Sequence, residues 1–312
     1  MNLNKKILKK YSGIDNLPSG TASEQITDGC LVLEGGAFRG VYTNGVLDAL
    51  MEQDLNFRTT IGVSAGSLTA MNYLSGQIGR SARMNLRYRH DSRYVGTKAI
   101  RNNQGLIGFD FLFGHLPFIP RMDWKRFRNP ERELYAVVTN LETGKPEYLE
   151  KSMGEDFLTA VSASSSMPYI SMPVMLRGTP YLDGGCSCKI PYEWALAQEF
   201  SKIIVVRTRP RQFRKKIRSD QENHKIRMPE LFYKNYPNFA SSLLRSNEAY
   251  NAQCDALEIL EQQGRIFVIA PSQDVTVSRL EKDMEKLGDL YYLGYRDTNA
   301  RIADLKAYLE KS

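Results

Sequence analysis

Apolar positions along this 312-residue chain fall into short continuous runs that alternate with longer periodic stretches. Cys30-Leu31-Val32-Leu33 is an uninterrupted apolar run bounded by glycines, the pattern of a strand buried on both faces. After Gly40, the residues Val46, Leu47, Leu50, Met51 and Leu55 recur at helical spacing. The same order then repeats. Thr59-Thr60-Ile61 runs into Gly62-Val63-Ser64-Ala65-Gly66, after which Leu68, Met71, Asn72 and Leu74 suit a second helix. Further strands are predicted over 134–139, 203–207 and 266–270, with helices over 156–164 and 191–199 between them. Strands alternating with helices predict an α/β fold of three α/β/α layers around a mostly parallel central sheet.

Between positions 83 and 132 the periodicity fails, and arginines mix with prolines and with Phe109, Phe111, Phe113, Phe118 and Trp124. This stretch is expected to be an insertion over the edge of the sheet. It is either an aromatic mini-core beneath a long loop or a lid-like, lipid-facing wall. From Asn238 onwards Leu, Glu, Lys and Arg dominate, predicting helices that complete the domain. The expected organisation is an extension over 1–28, a main domain over 29–210 carrying the insertion, and a basic loop with an α-rich completion over 211–312.

Composition narrows the picture. A hydrophobic fraction of 42% suits a soluble globule, and no apolar run approaches the length that spans a bilayer. The basic start MNLNKKILKK leads into Tyr11-Ser12-Gly13 rather than an apolar stretch, unlike a secretory signal. Four cysteines, with Cys186 and Cys188 too close for an ordinary bridge, do not make a disulfide framework and suit a reducing compartment. Their spacing also lacks a zinc-site pattern, so no metal is expected. Together these features predict a cytoplasmic protein, free or peripherally attached at the inner face of the membrane.

The net charge of +7 is concentrated between positions 207 and 227, where Arg207, Arg209, Arg211, Arg214, Lys215, Lys216, Arg218, Lys225 and Arg227 face only Asp220 and Glu222. A solvated loop, a nucleic-acid patch and an anionic-membrane contact all fit such a block. No nucleic-acid module surrounds it, so a nucleic-acid partner is not expected.

Three short motifs carry chemistry. Gly62-Val63-Ser64-Ala65-Gly66 matches the turn that presents a serine between a strand and a helix, and the flanking patterns here are those of a strand and a helix. Gly35-Gly36-Ala37-Phe38-Arg39-Gly40 sits in the same context, where successive amides point outward and form an anion site. A dinucleotide-binding turn would want a glycine at position 37 and an acidic residue at the end of the next strand. That strand ends in the serine turn instead, so an oxyanion hole suits the order better. Asp183-Gly184-Gly185 places a carboxylate at the end of a strand-like segment, a base for Ser64 or merely a turn. His90, His115 and His224 lie away from predicted strand ends, where a triad histidine would sit.

In this order, the three motifs resemble the patatin-like phospholipase family over roughly residues 29–210. Ala160-Val161-Ser162-Ala163-Ser164 with Met167-Pro168 resembles that family's Ala- and Ser-rich segment ahead of its aspartate. The resemblance implies a Ser–Asp dyad with Ser64 as nucleophile and Asp183 as general base, with Gly35, Gly36, Ala37 and Phe38 supplying oxyanion donors. It implies phospholipid or another acyl ester as substrate, and no cofactor. Arg39 stands at the family's basic position, holding a lipid phosphate or packing against its own loop. Ala37 departs from the usual third glycine and would be strained at positive φ. A transacylase or thioesterase using the same dyad, and a catalytically silent lipid-binding protein, are the alternatives.

Overall fold

The computed structural model describes residues 9–114, 116–217 and 228–311. Ten strands are present among them: β1 (Gly20–Thr21), β2 (Thr27–Leu33), β3 (Phe57–Val63), β4 (Gln77–Ile78), β5 (Glu133–Asn140), β6 (Pro146–Glu150), β7 (Val174–Leu176), β8 (Thr179–Asp183), β9 (Ile203–Val206) and β10 (Phe267–Ile269). β1 and β4 form a small pair of their own, while the main sheet runs β10-β9-β2-β3-β5-β8-β7 with β6 on β5. The five strands from β10 to β5 are parallel, whereas β6, β8 and β7 pair antiparallel at one side.

Alternation along the central strands accounts for the layers. Leu31 and Leu33 of β2, with Ile204 and Val206 of β9, join one buried cluster, while Cys30, Val32, Ile203 and Val205 join another. A strand apolar on both faces must be covered twice. On the first face lie α1 (Val41–Glu52), α2 (Ala65–Leu74), the later helix α7 (Asp156–Ser164) and the C-terminal helices Met284–Ala300 and Ile302–Glu310. On the second lie α8 (Tyr192–Ala197) and the long helix Pro237–Gln262. The result is the three-layer α/β/α arrangement, with a mixed sheet.

The insertion differs from expectation. It is helical, with α3 (Arg80–Tyr88), α4 (Thr97–Asn103), α5 (Phe109–Phe113) and α6 (Trp124–Phe127), and it lies on the α1–α2 layer rather than over the sheet edge. Arginines hid the helical period of α3, because Arg80 is itself buried, donating to Asn72 and to the carbonyl of Pro120. Tyr88, Tyr94, Leu112 and Phe127 join the main core, so the aromatics are largely packing, whereas Phe118 is 80% exposed.

The C-terminal helix Met284–Ala300 is tied to α1 at close quarters. A side chain on Gly294 would overlap the carbonyl of Tyr42, and one on Gly45 would overlap that of Tyr291. Around this contact Tyr291 donates to the buried Asp48 at 2.8 Å and Tyr42 to Asp297 at 3.0 Å. Gly294→Ala is therefore expected to destabilise the protein by about 1–3 kcal/mol through overpacking. Urea unfolding measures this, and a loss below a few tenths of a kcal/mol would contradict so close an approach.

Candidate active site

Sheet register brings the three motifs together. Val63, the last residue of β3, is in register with Val137 of β5, and Val138 is in register with Asp183 at the end of β8. Ser64 and Asp183 therefore flank the same position of β5 from opposite sides. Ser64 Oγ donates to Asp183 Oδ2 at 2.7 Å, and both residues are buried at 6% exposure.

The backbone at Ser64 has φ 56 and ψ −122, a conformation unusual for a side-chain-bearing residue that lifts Oγ clear of the sheet. Two neighbours fix it. A Cβ on Gly62 would lie 2.6 Å from the backbone of Gly66 and Ser67, so that position admits no side chain. The Ser64 N–H donates to Ser164 Oγ at 2.9 Å, which ties the turn to the end of α7. Gly66 lies in the first turn of α2, and its close approach to the carbonyl of Leu33 joins this turn to the neighbouring loop.

Asp183 is held as firmly. The Gly185 N–H donates to Oδ1 at 2.8 Å, leaving Oδ2 to Ser64, and Gly184 and Gly185 open a 3-10 turn that carries the chain away. Burial raises the Asp183 carboxyl above the ordinary aspartate range, against the opposing hydrogen bonds from Ser64 and Gly185 and the charges of Arg279 and Lys189.

The loop between β2 and α1 faces the pair. Gly35, Gly36, Ala37 and Ser64 line one cavity with Asp183. The loop is pinned from the segment just after β9, since Thr208 N–H donates to Glu34 Oε2 at 2.6 Å and Thr208 Oγ1 to the Gly35 carbonyl at 3.2 Å. Among the described residues, the amides of Gly35, Gly36 and Ala37 have no protein acceptor. Phe38 departs from the expected set: its N–H is given to the carbonyl of Arg279 at 3.1 Å, so it is not free for an oxyanion. Ala37 adopts φ 50, in the left-handed region where a Cβ costs about 1–2 kcal/mol. Arg39 is buried at 8% exposure with Nε unpartnered, and Gly40 ends the 3-10 turn ahead of α1.

Two cavities meet at Ser64. One is narrow and apolar, about 70 Å³, walled by Phe38, Leu68 and Met71 and by Met84, Leu112 and Phe113 of the insertion. The other is roomier, about 570 Å³, and its wall carries Arg39, Lys189, Arg209, Lys215, Lys216 and Arg279. Lys189, Arg209, Lys215, Arg279 and the elbow-holding Ser164 were not singled out from the sequence as site residues. Only the Ser-rich text around Ser164 and the density of cations around Arg209 and Lys215 pointed their way.

The first half of the basic block does not form one outward face. Arg207 is fully buried beside Tyr250 and Cys254, Arg211 pairs with Glu261, and Arg214 pairs with Asp255 and Glu258. Arg218, Lys225 and Arg227 lie outside the described residues. His90 lies 2.8 Å from the carbonyl of Lys282, while His115 and His224 lie outside the described residues. All four cysteines are free and buried. Among the described residues, no helix is long and apolar enough to cross a membrane.

A family model described as Patatin-like phospholipase matches residues 31–196, and one described as a domain of unknown function (DUF6363) matches residues 236–310. The uncharacterized protein YjjU of Escherichia coli (strain K12) is 30% identical over 189 residues, covering 58% of this chain and 52% of that protein. The probable lipid hydrolase 463L of Invertebrate iridescent virus 6 is 28% identical over 186 residues, covering 53% of this chain and 62% of that protein. The chain thus matches little more than half the length of these curated relatives. Among solved structures, VipD from Legionella pneumophila shares the fold, with a TM-score of 0.50 at 14% identity, covering 99% of this chain and 71% of that one.

Because the folded protein keeps the Asp183 proton to higher pH than the unfolded chain, stability falls as pH rises through the window above the ordinary aspartate value of about 3.9. Asp183→Asn removes the buried charge. It is expected to raise the melting temperature at pH 7, the gain shrinking as the pH approaches that ordinary value. Equal or lower stability of the variant at pH 7 would contradict the placement of a costly carboxylate there.

Proposed function

Since this chain belongs to the patatin-like phospholipase family, we propose that it hydrolyses lipid acyl esters with Ser64 as nucleophile and Asp183 as general base. The observation that carries this reading is the 2.7 Å hydrogen bond from Ser64 Oγ to Asp183 Oδ2 beside a loop of unspent amides. Oγ attacks the acyl carbonyl carbon while its proton passes to Oδ2, and burial favours that transfer by raising the basicity of the carboxylate. The amides of Gly35, Gly36 and Ala37 receive the oxyanion, each well-aimed donor lowering the barrier by roughly 2.7–4 kcal/mol. The N-terminus of α2, which starts at Ala65, adds a favourable dipole for the same charge.

Collapse of the tetrahedral intermediate breaks the ester C–O bond, and Asp183 returns its proton to the departing alkoxide. Ser64 is then acylated. Water attacks the acyl-serine as Asp183 accepts a proton again, and the second collapse frees the fatty acid and restores the hydroxyl. The acyl chain occupies the apolar cavity of Phe38, Leu68, Met84 and Phe113.

A fluorophosphonate probe is expected to label Ser64, and Ser64→Ala to lose the label along with roughly 10⁴-fold or more of ester turnover. Labelling that persists in that variant would refute the assignment. The profile of kcat/KM against pH should show an acid limb from the raised carboxyl, with its midpoint above the ordinary aspartate value of about 3.9. A midpoint at or below that value would remove Asp183 as the base.

A further inference from the structure

The larger cavity beside Ser64 is cationic in a way the dyad does not require. Six cationic side chains line it, Arg39, Lys189, Arg209, Lys215, Lys216 and Arg279, against the carboxylates of Glu34 and Asp183 alone. Both carboxylates are committed, Glu34 to the amide of Thr208 and Asp183 to Ser64 and Gly185. Among the described residues, none of the six cations has an ion-pair partner.

Neutral groups satisfy only part of the cluster. Lys189 Nζ donates to the carbonyl of Ser246 at 2.9 Å, and Arg209 donates to that of Val275 at 2.8 Å. The Lys215 ammonium lies 4.3 Å from the centre of the Tyr250 ring. Arg39 is more than nine-tenths buried, lines the cavity, and its Nε has no partner. Burial, with Lys189 beside it, pushes the Lys215 ammonium down to about 6, and burial brings Lys189 to about 8. Arg39 is buried, Lys189, Arg209 and Lys215 are half-buried, and Lys216 and Arg279 are exposed at the rim. Crowding like charges around one cavity is costly for the inner ones, and a bound anion removes that cost. The nearby Arg211 and Arg214 show the contrast, each being paired with acids of the helix Pro237–Gln262.

We propose that this cavity is a headgroup subsite for a phosphate carrying two or more negative charges, joined to the acyl ester cut at Ser64, so that phosphomonoester substrates are selected over zwitterionic ones. The inference rests on the hydrolase reading and adds the class of substrate to it. A choline or ethanolamine headgroup would bring its own cation among the arginines and lysines already crowded there. A terminal phosphate brings two charges and oxygens that accept from guanidinium and ammonium donors together. The volume, about 570 Å³, is in the range of ligand pockets and exceeds what a single phosphate fills. The same chemistry could be presented by a lipid headgroup or by a soluble phosphorylated acyl thioester.

The test compares oleoyl lysophosphatidic acid with oleoyl lysophosphatidylcholine in neutral-detergent micelles, with oleoyl-coenzyme A as the soluble arm and p-nitrophenyl butyrate as the uncharged control. The phosphomonoester lipid, or the thioester if the source is soluble, should exceed the choline lipid in kcat/KM by at least about tenfold, as one gained charge-assisted hydrogen bond would give. Inorganic pyrophosphate should compete with the uncharged ester, and chloride at equal ionic strength should not. Lys215→Gln with Arg279→Gln should drive the lipid ratio toward one, with melting curves reporting the fold. Should that double variant fail to fold, pyrophosphate competition in the native protein decides alone. Equal rates on both lipids and no competition by pyrophosphate, with the uncharged ester still hydrolysed, would overturn the subsite alone. No turnover of any ester would overturn the hydrolase reading instead.

Discussion

A single hydrogen bond between two carriers far apart in sequence organises this molecule. Ser64 and Asp183 are separated by more than a hundred residues, yet Ser64 directly follows β3 and Asp183 ends β8, strands that neighbour β5, one parallel to it and one antiparallel. Register makes the meeting work: the residue after Val63 and the last residue of the antiparallel β8 both come alongside Val138. The buried carboxylate that results is costly to the fold, since desolvation disfavours its charge, and under the proposed mechanism the same desolvation makes it a better proton acceptor. Strain at Ser64 and at Ala37 belongs to the same trade. Both hold left-handed backbone at the site, and both are braced, Ser64 by Ser164 and the Ala37 loop by Thr208.

Much of this frame was legible in the sequence because it obeys local rules. The apolar runs at Leu31 and Ile204 are strands because buried parallel strands need continuous apolar text. The helix after Ser64 was legible because its apolar positions keep a period near 3.6. The serine turn was readable because its glycines are dictated by approaches that no Cβ survives, as at Gly62.

Elsewhere the signal failed for identifiable reasons. Arg80 is buried through hydrogen bonds to Asn72 and Pro120, so a polar letter occupied a core position and α3 vanished from the pattern. Phe38 looked like an oxyanion donor by position, but its amide is claimed by Arg279, a partner more than two hundred residues away. The basic block looked like one surface, yet Arg207 turns inward while Arg211 and Arg214 find acids on the helix Pro237–Gln262. Lys189, Lys215 and Arg279 converge on one cavity from separate segments, and no spacing rule connects them.

The joint at Ser64 gives the site a polarity. On one side the insertion supplies Met84, Leu112 and Phe113 to an apolar slot, and on the other the cations gather. An amphiphile has the same division, with its scissile ester at the boundary. The most direct measurement is a crystal structure of the protein inactivated with a fluorophosphonate. The phosphorus is expected to be bonded to Ser64 Oγ, its oxygen accepting hydrogen bonds from loop amides among Gly35, Gly36 and Ala37, with its alkyl tail in the apolar slot. Phosphorus on another residue, or an oxygen turned away from those amides, would contradict it.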